Sequence, residues 1–297
     1  MSHLFIERSN HRKLPADYRG DILVWDIDKT YLDTRFSSVR GLLGIALEAA
    51  LDKRAIPGAV PLLRGLRRGV TQQSALTPLY FVSGSPVQLR GILERKMLLD
   101  SVDHDGIAFK DQLGLLKNGR PLAIVEQVGY KLCALLMYRR ELPHGARYLF
   151  FGDDAESDAT VFTLFGEVCA GLRGAELKRR MQQLGAFGAE TEGAVELSSG
   201  LPAGPDPVER IFIRLERNTD PARLTSGVVT PVRSFLQAAL VLLDMKRITP
   251  NALLAVAEDL RRNMVPEYVI REHVADARAR LGVTVETTAL LEQNAPG

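Results

Sequence analysis

The sequence predicts an α/β fold: a three-layer α/β/α sandwich on a mainly parallel sheet, followed by a helical region at the carboxyl end. Three observations predict it. Short apolar runs of strand length alternate with helical stretches as far as residue 215. The strongest run, Ile22-Leu23-Val24-Trp25, is unbroken rather than alternating, as for a strand covered on both faces. Residues with carboxylate and hydroxyl groups follow the strands directly, where open α/β sheets place their sites.

The elements follow in order. Residues 21–25 form the first strand, with β-branched Ile22 and Val24. Residues 39–53 read as a helix with Leu42, Leu43, Ile45, Ala46 and Ala49 on its apolar side. Ile56-Pro57-Gly58 breaks the pattern, and 59–68 restart a helix with Val60, Leu62, Leu63 and Leu66 inward. Residues 79–82 form a second strand, and 86–95 a helix with Pro86 in its first turn. Ile107 and Phe109 mark a short strand after the turn Asp105-Gly106. Residues 130–140 are a helix, 146–151 a strong strand and 158–169 a helix. Residues 173–184 read as a surface helix. Five glycines and two prolines make 185–206 a flexible excursion. Residues 211–215 are the last core strand. Three helical stretches follow at 231–245, 249–263 and 266–281, with Thr249-Pro250 as an N-cap and first helical residue. The expected division is a polar extension over 1–20, a catalytic domain over 21–218 with a flexible insertion at about 170–209, and a helical region over 219–297.

Composition narrows the function. The chain has 297 residues, 46% of them apolar, enough for one large core or a core with a smaller partner. A net charge of +2 lacks the basic footprint of a nucleic-acid binder, so no nucleic acid is expected. Arg64, Arg67 and Arg68, like Lys178, Arg179 and Arg180, read as solvated helix faces. The two cysteines, Cys133 and Cys169, build neither a zinc site nor a disulfide framework. The polar N-terminus lacks a signal peptide's apolar stretch, and no run reaches 18 apolar residues. A cytoplasmic location is the expectation.

The candidate site begins at Asp26 and Asp28, two carboxylates one residue apart at a strand end. One can attack phosphorus while the other protonates the leaving oxygen and later helps water attack. Their mutual repulsion, and that of a phosphoryl group, calls for a divalent cation, and an all-oxygen environment suits magnesium. Thr30 follows. Ser83-Gly84-Ser85-Pro86 comes after the second strand, where a hydroxyl and backbone N–H groups can hold a phosphate oxygen; Ser83 or Ser85 could equally cap a helix. Lys131, at a helix start, could neutralise the carboxylate nucleophile, with Lys110 and Lys117 as competitors. In Gly152-Asp153-Asp154-Ala155-Glu156-Ser157-Asp158 the crowding of acids is costly without a cation. Asp153 is the first choice for the metal. Asp158 binds it through water or orients Lys131. Asp154 is a ligand or caps the next helix.

Together these segments resemble the haloacid-dehalogenase-type phosphatase superfamily: Asp26-Ile27-Asp28-Lys29-Thr30, then Ser83, then Lys131, then Gly152-Asp153-Asp154 with Asp158. The resemblance implies a Rossmann-like sheet, Asp26 as a nucleophile that becomes an aspartyl-phosphate, and Asp28 as acid and base. It also implies magnesium held by the Asp26 carboxylate, the Asp28 backbone carbonyl and Asp153, with Thr30, Ser83, Gly84 and Lys131 on the phosphate. Val82-Ser83-Gly84-Ser85-Pro86, Phe109-Lys110-Asp111 and Ile211-Phe212-Ile213-Arg214 are similar to the catalytic domain of the actin-patch phosphatidate phosphatase family and its bacterial relatives. Lys29 stands where that family usually has aspartate, and Asp154 where it has serine. The resemblance spans roughly residues 20 to 215.

The expected activity is magnesium-dependent phosphomonoester hydrolysis. The alternatives are transfer to an acceptor other than water, and a non-catalytic scaffold. Neither the stretch after Asp28 nor the 43 residues between Ser85 and Gly129 looks like a large cap, which favours a bulky or lipid phosphate. The apolar tail helix around Leu236 and Leu240 packs in the core or meets a membrane surface. Oligomeric state is not legible.

Overall fold

A computed structural model describes residues 4–33, 54–71, 76–112, 114, 127–224 and 227–293. Its sheet has seven strands: β1 (Ile6–Arg8), β2 (Asp21–Asp26), β3 (Leu79–Pro86), β4 (Gly106–Lys110), β5 (Arg147–Asp153), β6 (Val208–Arg214) and β7 (Val229–Val232). The spatial order is β1-β4-β3-β2-β5-β6-β7. Only β1 runs antiparallel, pairing Ile6 with Lys110 at one edge. The parallel strands thus fall in the order of a doubly wound Rossmann-like sheet, which reverses direction between β2 and β5.

Strand geometry sends successive side chains to opposite faces. Ile22 and Val24 enter one core and Leu23 and Trp25 the other. The same division separates Tyr80 and Val82 from Leu79 and Phe81, and Tyr148 and Phe150 from Leu149 and Phe151. That double burial is why these runs are continuously apolar. On one face lie α1 (Ala59–Arg68), α2 (Arg90–Leu99) and the C-terminal helices α8 (Phe235–Asp244), α9 (Pro250–Arg262), α10 (Glu267–Leu281) and α11 (Val285–Gln293). On the other lie α3 (Val128–Glu141), α4 (Asp158–Ala170), α5 (Gly174–Gln183) and α6 (Ala189–Ser199). The short helix α7 (Pro221–Leu224) precedes β7.

Several expectations are corrected. The N-terminal stretch is not only a polar extension, since it supplies β1. Helix α5 falls where a surface helix was expected at 173–184, but the excursion expected to be flexible at 185–206 forms α6. Thr191, Ala194 and Ser198 of α6 are buried, and Gly193 makes room for Leu4, whose side chain would lie 2.6 Å from an added Cβ. The first of the three expected tail stretches begins as strand β7, and a fourth helix, α11, follows the third. Pro86 ends β3 rather than opening a helix. The tail helix considered for membrane contact is spent on the core: Phe235 through Leu242 are all buried. Among the described residues no helix is long and apolar enough to cross a membrane. The helix expected at 39–53 lies outside the described residues, as do residues 113 and 115–126 of the stretch between Ser85 and Gly129.

Candidate active site

The site lies at the carboxyl ends of β2, β3 and β5, where the strand order reverses. Asp26 closes β2 in register with Ile22 and Val24, the side chains that face the layer containing α3. Lys131 stands in the first turn of α3, and its Nζ donates to Asp26 Oδ1 at 2.8 Å. The same ammonium donates to Glu156 Oε2 at 2.7 Å and to Asp158 Oδ1 at 2.5 Å. Lys131, Asp26 and Asp158 are all buried. Asp26 Oδ2 is buried and has no hydrogen-bond partner.

After Asp26 the chain turns sharply. Tyr31 and Leu32 both donate their N–H groups to the Ile27 carbonyl, and Lys29 takes a positive φ of 61°. Arg214, at the end of β6, donates to the Lys29 carbonyl through Nε at 2.9 Å and Nη2 at 2.6 Å. The turn aims Asp28 at β3, where Ser83 Oγ and Ser85 Oγ donate to Asp28 Oδ2 at 3.1 and 2.6 Å. Tyr130 in turn donates to the Ser83 carbonyl at 2.7 Å. Neither serine serves as a side-chain cap for the helical residues after Pro86. Gly84 is close-packed, for an added Cβ would meet the Gln127 amide at 2.4 Å.

The loop after β5 is built around its own acids. Asp153 Oδ1 accepts N–H bonds from Ala155 at 2.6 Å and Glu156 at 3.1 Å, an Asx turn that brings the chain back. Asp158 Oδ2 then accepts the Asp153 N–H at 3.1 Å. Gly152 is required there, because an added Cβ would fall 2.5 Å from the Asp158 side chain. Thr30 Oγ1 donates to Asp153 Oδ2 at 3.3 Å. Asp154 points elsewhere: it accepts the N–H groups of Arg217 and Thr219, and these bonds outweigh partial burial to hold its pKa low. It neither joins the acid group nor caps α4.

Of the expected site residues, Asp26, Asp153 and Asp158 converge, with one carboxylate oxygen from each lying within 4.8 Å of the others. Asp28 stays beside Ser83 and Ser85, and Thr30 beside Asp153. Lys131 reaches Asp26, whereas Lys110, at the end of β4, lies 5.5 Å over the Tyr130 ring. Lys117 is outside the described residues. Sequence reasoning left Glu156, Ser85, Tyr130 and Arg214 without a site role. The available signal for Glu156 was its place inside the acid-rich run, and for Ser85 its hydroxyl two residues after Ser83.

Burial raises the pKa of Asp26 well above the ordinary carboxylate range; Lys131 opposes this, and Asp158, Glu156 and Asp153 add to it. Burial and the neighbouring Asp158 push Asp153 up to about 7. Asp158 is raised chiefly by burial, with Lys131 opposing. Burial alone would lower Lys131, but Asp158, Asp26 and Glu156 hold it well above its usual value. The arrangement is therefore short of positive charge. Three buried carboxylates within reach of one another, an all-oxygen donor set facing a single ammonium, fit a hard divalent cation.

Comparison with known proteins gives no match among protein-family models, curated proteins or solved structures.

Proposed function

We propose that this protein is a haloacid-dehalogenase-type phosphomonoester hydrolase that works through an aspartyl-phosphate on Asp26. The observation that carries the reading is the asymmetry of the Asp26 carboxylate: Oδ1 is held by Lys131 while Oδ2 has no partner. A carboxylate tied at one oxygen keeps its orientation and leaves the other to attack phosphorus. In the first half-reaction Oδ2 bonds to phosphorus as the bond to the leaving oxygen breaks, and Asp28 delivers a proton to that oxygen. In the second, Asp28 takes a proton from water, whose oxygen attacks phosphorus and releases phosphate from Asp26. The hydroxyls of Ser83 and Ser85 orient Asp28 for both transfers.

Asp26 and Asp153 would hold a divalent cation, magnesium by the chemistry of the donors, and it would supply positive charge between the carboxylates and the phosphoryl oxygens. Asp158 ties Lys131 to the loop that carries Asp153.

A screen of sugar phosphates, nucleotides, phosphopeptides and phosphatidate, with magnesium and with chelator, tests the reading. Turnover that requires magnesium and falls at least about 10³-fold in Asp26→Asn is expected. Equal turnover by Asp26→Asn would remove the nucleophile.

A further inference from the structure

We infer that Glu156 gates the site: its carboxylate occupies the place on Lys131 that a phosphoryl oxygen takes, and substrate enters by displacing it. The inference rests on the reading of Lys131 as a phosphate ligand.

An ammonium has three N–H donors. Lys131 Nζ spends them on Asp26, Glu156 and Asp158 at 2.8, 2.7 and 2.5 Å. A phosphoryl oxygen can be bound by Lys131 only if one acceptor leaves, and the three are not equally free. Asp26 is buried, and its bond to Lys131 orients the nucleophile. Asp158 is buried and fixed at its second oxygen by the Asp153 N–H. Glu156 differs: its side chain is 22% exposed, against 1% for Asp26 and 0% for Asp158. It also lines a cavity of about 390 Å³ together with Gln127, Val128, Leu184 and Gly185. A displaced carboxylate can turn into that space without disturbing the sheet.

Charge favours the exchange. Four carboxylates, from Asp26, Asp153, Glu156 and Asp158, act on one ammonium. Adding a phosphoryl dianion without removing any of them raises the repulsion in a buried site, whereas sending Glu156 outward offsets it. The empty site then holds its own anion, and apparent phosphate affinity is reduced by the fraction of molecules with Glu156 bound inward. A purely structural Glu156 makes the opposite prediction, since its loss would loosen Lys131 and weaken phosphate binding.

The test is calorimetric titration of wild type, Glu156→Gln and Glu156→Ala with inorganic phosphate in magnesium buffer, with kcat and KM on p-nitrophenyl phosphate measured beside it. Tighter phosphate binding by about tenfold in both variants, with KM falling, is expected. Equal or weaker binding by Glu156→Gln, with a thermal melt like that of wild type, overturns the gate; so does an absence of phosphate binding in all three proteins. A wild type that binds phosphate but hydrolyses no phosphomonoester defeats the hydrolase reading, while the binding ratios still decide the gate.

Discussion

At the scale of single residues, the site is a problem in charge balance. Asp26, Asp153, Glu156 and Asp158 crowd one lysine, so removing that lysine strands several buried acids together. Lys131→Met is expected to abolish turnover and to cost about 3–5 kcal/mol in urea unfolding, the usual penalty for breaking a buried ion pair from one side. The same crowding sets a pH dependence. In the metal-free protein Asp26, Asp153 and Asp158 have folded-state pKa values above their unfolded values. The folded state therefore binds more protons, and stability falls as pH rises from about 4 through about 7, the value reached by Asp153. Each such group contributes a slope of up to about 1.4 kcal/mol per pH unit. Thermal melts in chelator should show Tm dropping between pH 5 and 8, and magnesium should flatten the drop; a Tm that rises with pH in chelator would contradict the shifts. The acids and the lysine that meet here were legible in the sequence because strand ends concentrate them: Asp26, Lys131, Asp153 and Asp158 could each be named. Glu156 was not, since a glutamate in an acidic loop looks solvated until the fold brings α3 beneath it.

Elements were legible where burial on two faces left an unbroken apolar run, as in β2, β3 and β5. They were hidden where something else filled the pattern. The three residues of β1 alternate at an exposed edge, and Pro231 sits inside edge strand β7. In α6 the inward face includes Glu190, Thr191 and Ser198, and its glycine is there for close packing against Leu4 rather than for freedom. The junction of β7 with α8 depends on Gln237, which is fully buried. Its Oε1 accepts the Arg233 N–H at 2.7 Å, and its Nε2 donates to the His273 carbonyl at 2.8 Å and Asp276 Oδ2 at 2.7 Å, fastening α10 to the corner. Gln237→Leu keeps the bulk and orphans these partners. A loss of about 1–3 kcal/mol in chemical unfolding is expected, with magnesium affinity unchanged because the site lies elsewhere. A neutral result would mean that the partners find other bonds.

Over the whole molecule, one sheet divides two cores, and the chain's last helices complete one of them. Trp25 stacks on Phe151 with ring centroids 4.2 Å apart, Phe151 on Phe212 at 5.1 Å, and Phe235 of α8 meets Trp25 at 5.2 Å. Thus the residue just before Asp26 is covered by a helix more than two hundred positions later in the chain. The α1 layer is joined to the same helices: the Gly58 N–H donates to Asp259 Oδ2 at 2.7 Å, and a Cβ at Gly65 would stand 2.7 Å from Ala252. Core packing of the tail helix was legible from its apolar run, but the face it closes was not, because periodicity reports which helix face is apolar and not which sheet face it covers. A chain ending at residue 218 would strip α8–α11 from the core cluster they share with Leu23, Trp25, Leu63, Phe151 and Phe212. At about 1.5–3 kcal/mol for each large apolar side chain, the loss is roughly 10 kcal/mol, comparable with the entire stability of a domain. The 1–218 fragment is therefore expected to bind a hydrophobic dye and to melt without a cooperative transition, while the full chain melts in one. A 1–218 fragment that melts cooperatively and retains metal-dependent turnover would show that the helical tail is an appendage and that the first 218 residues hold their own core.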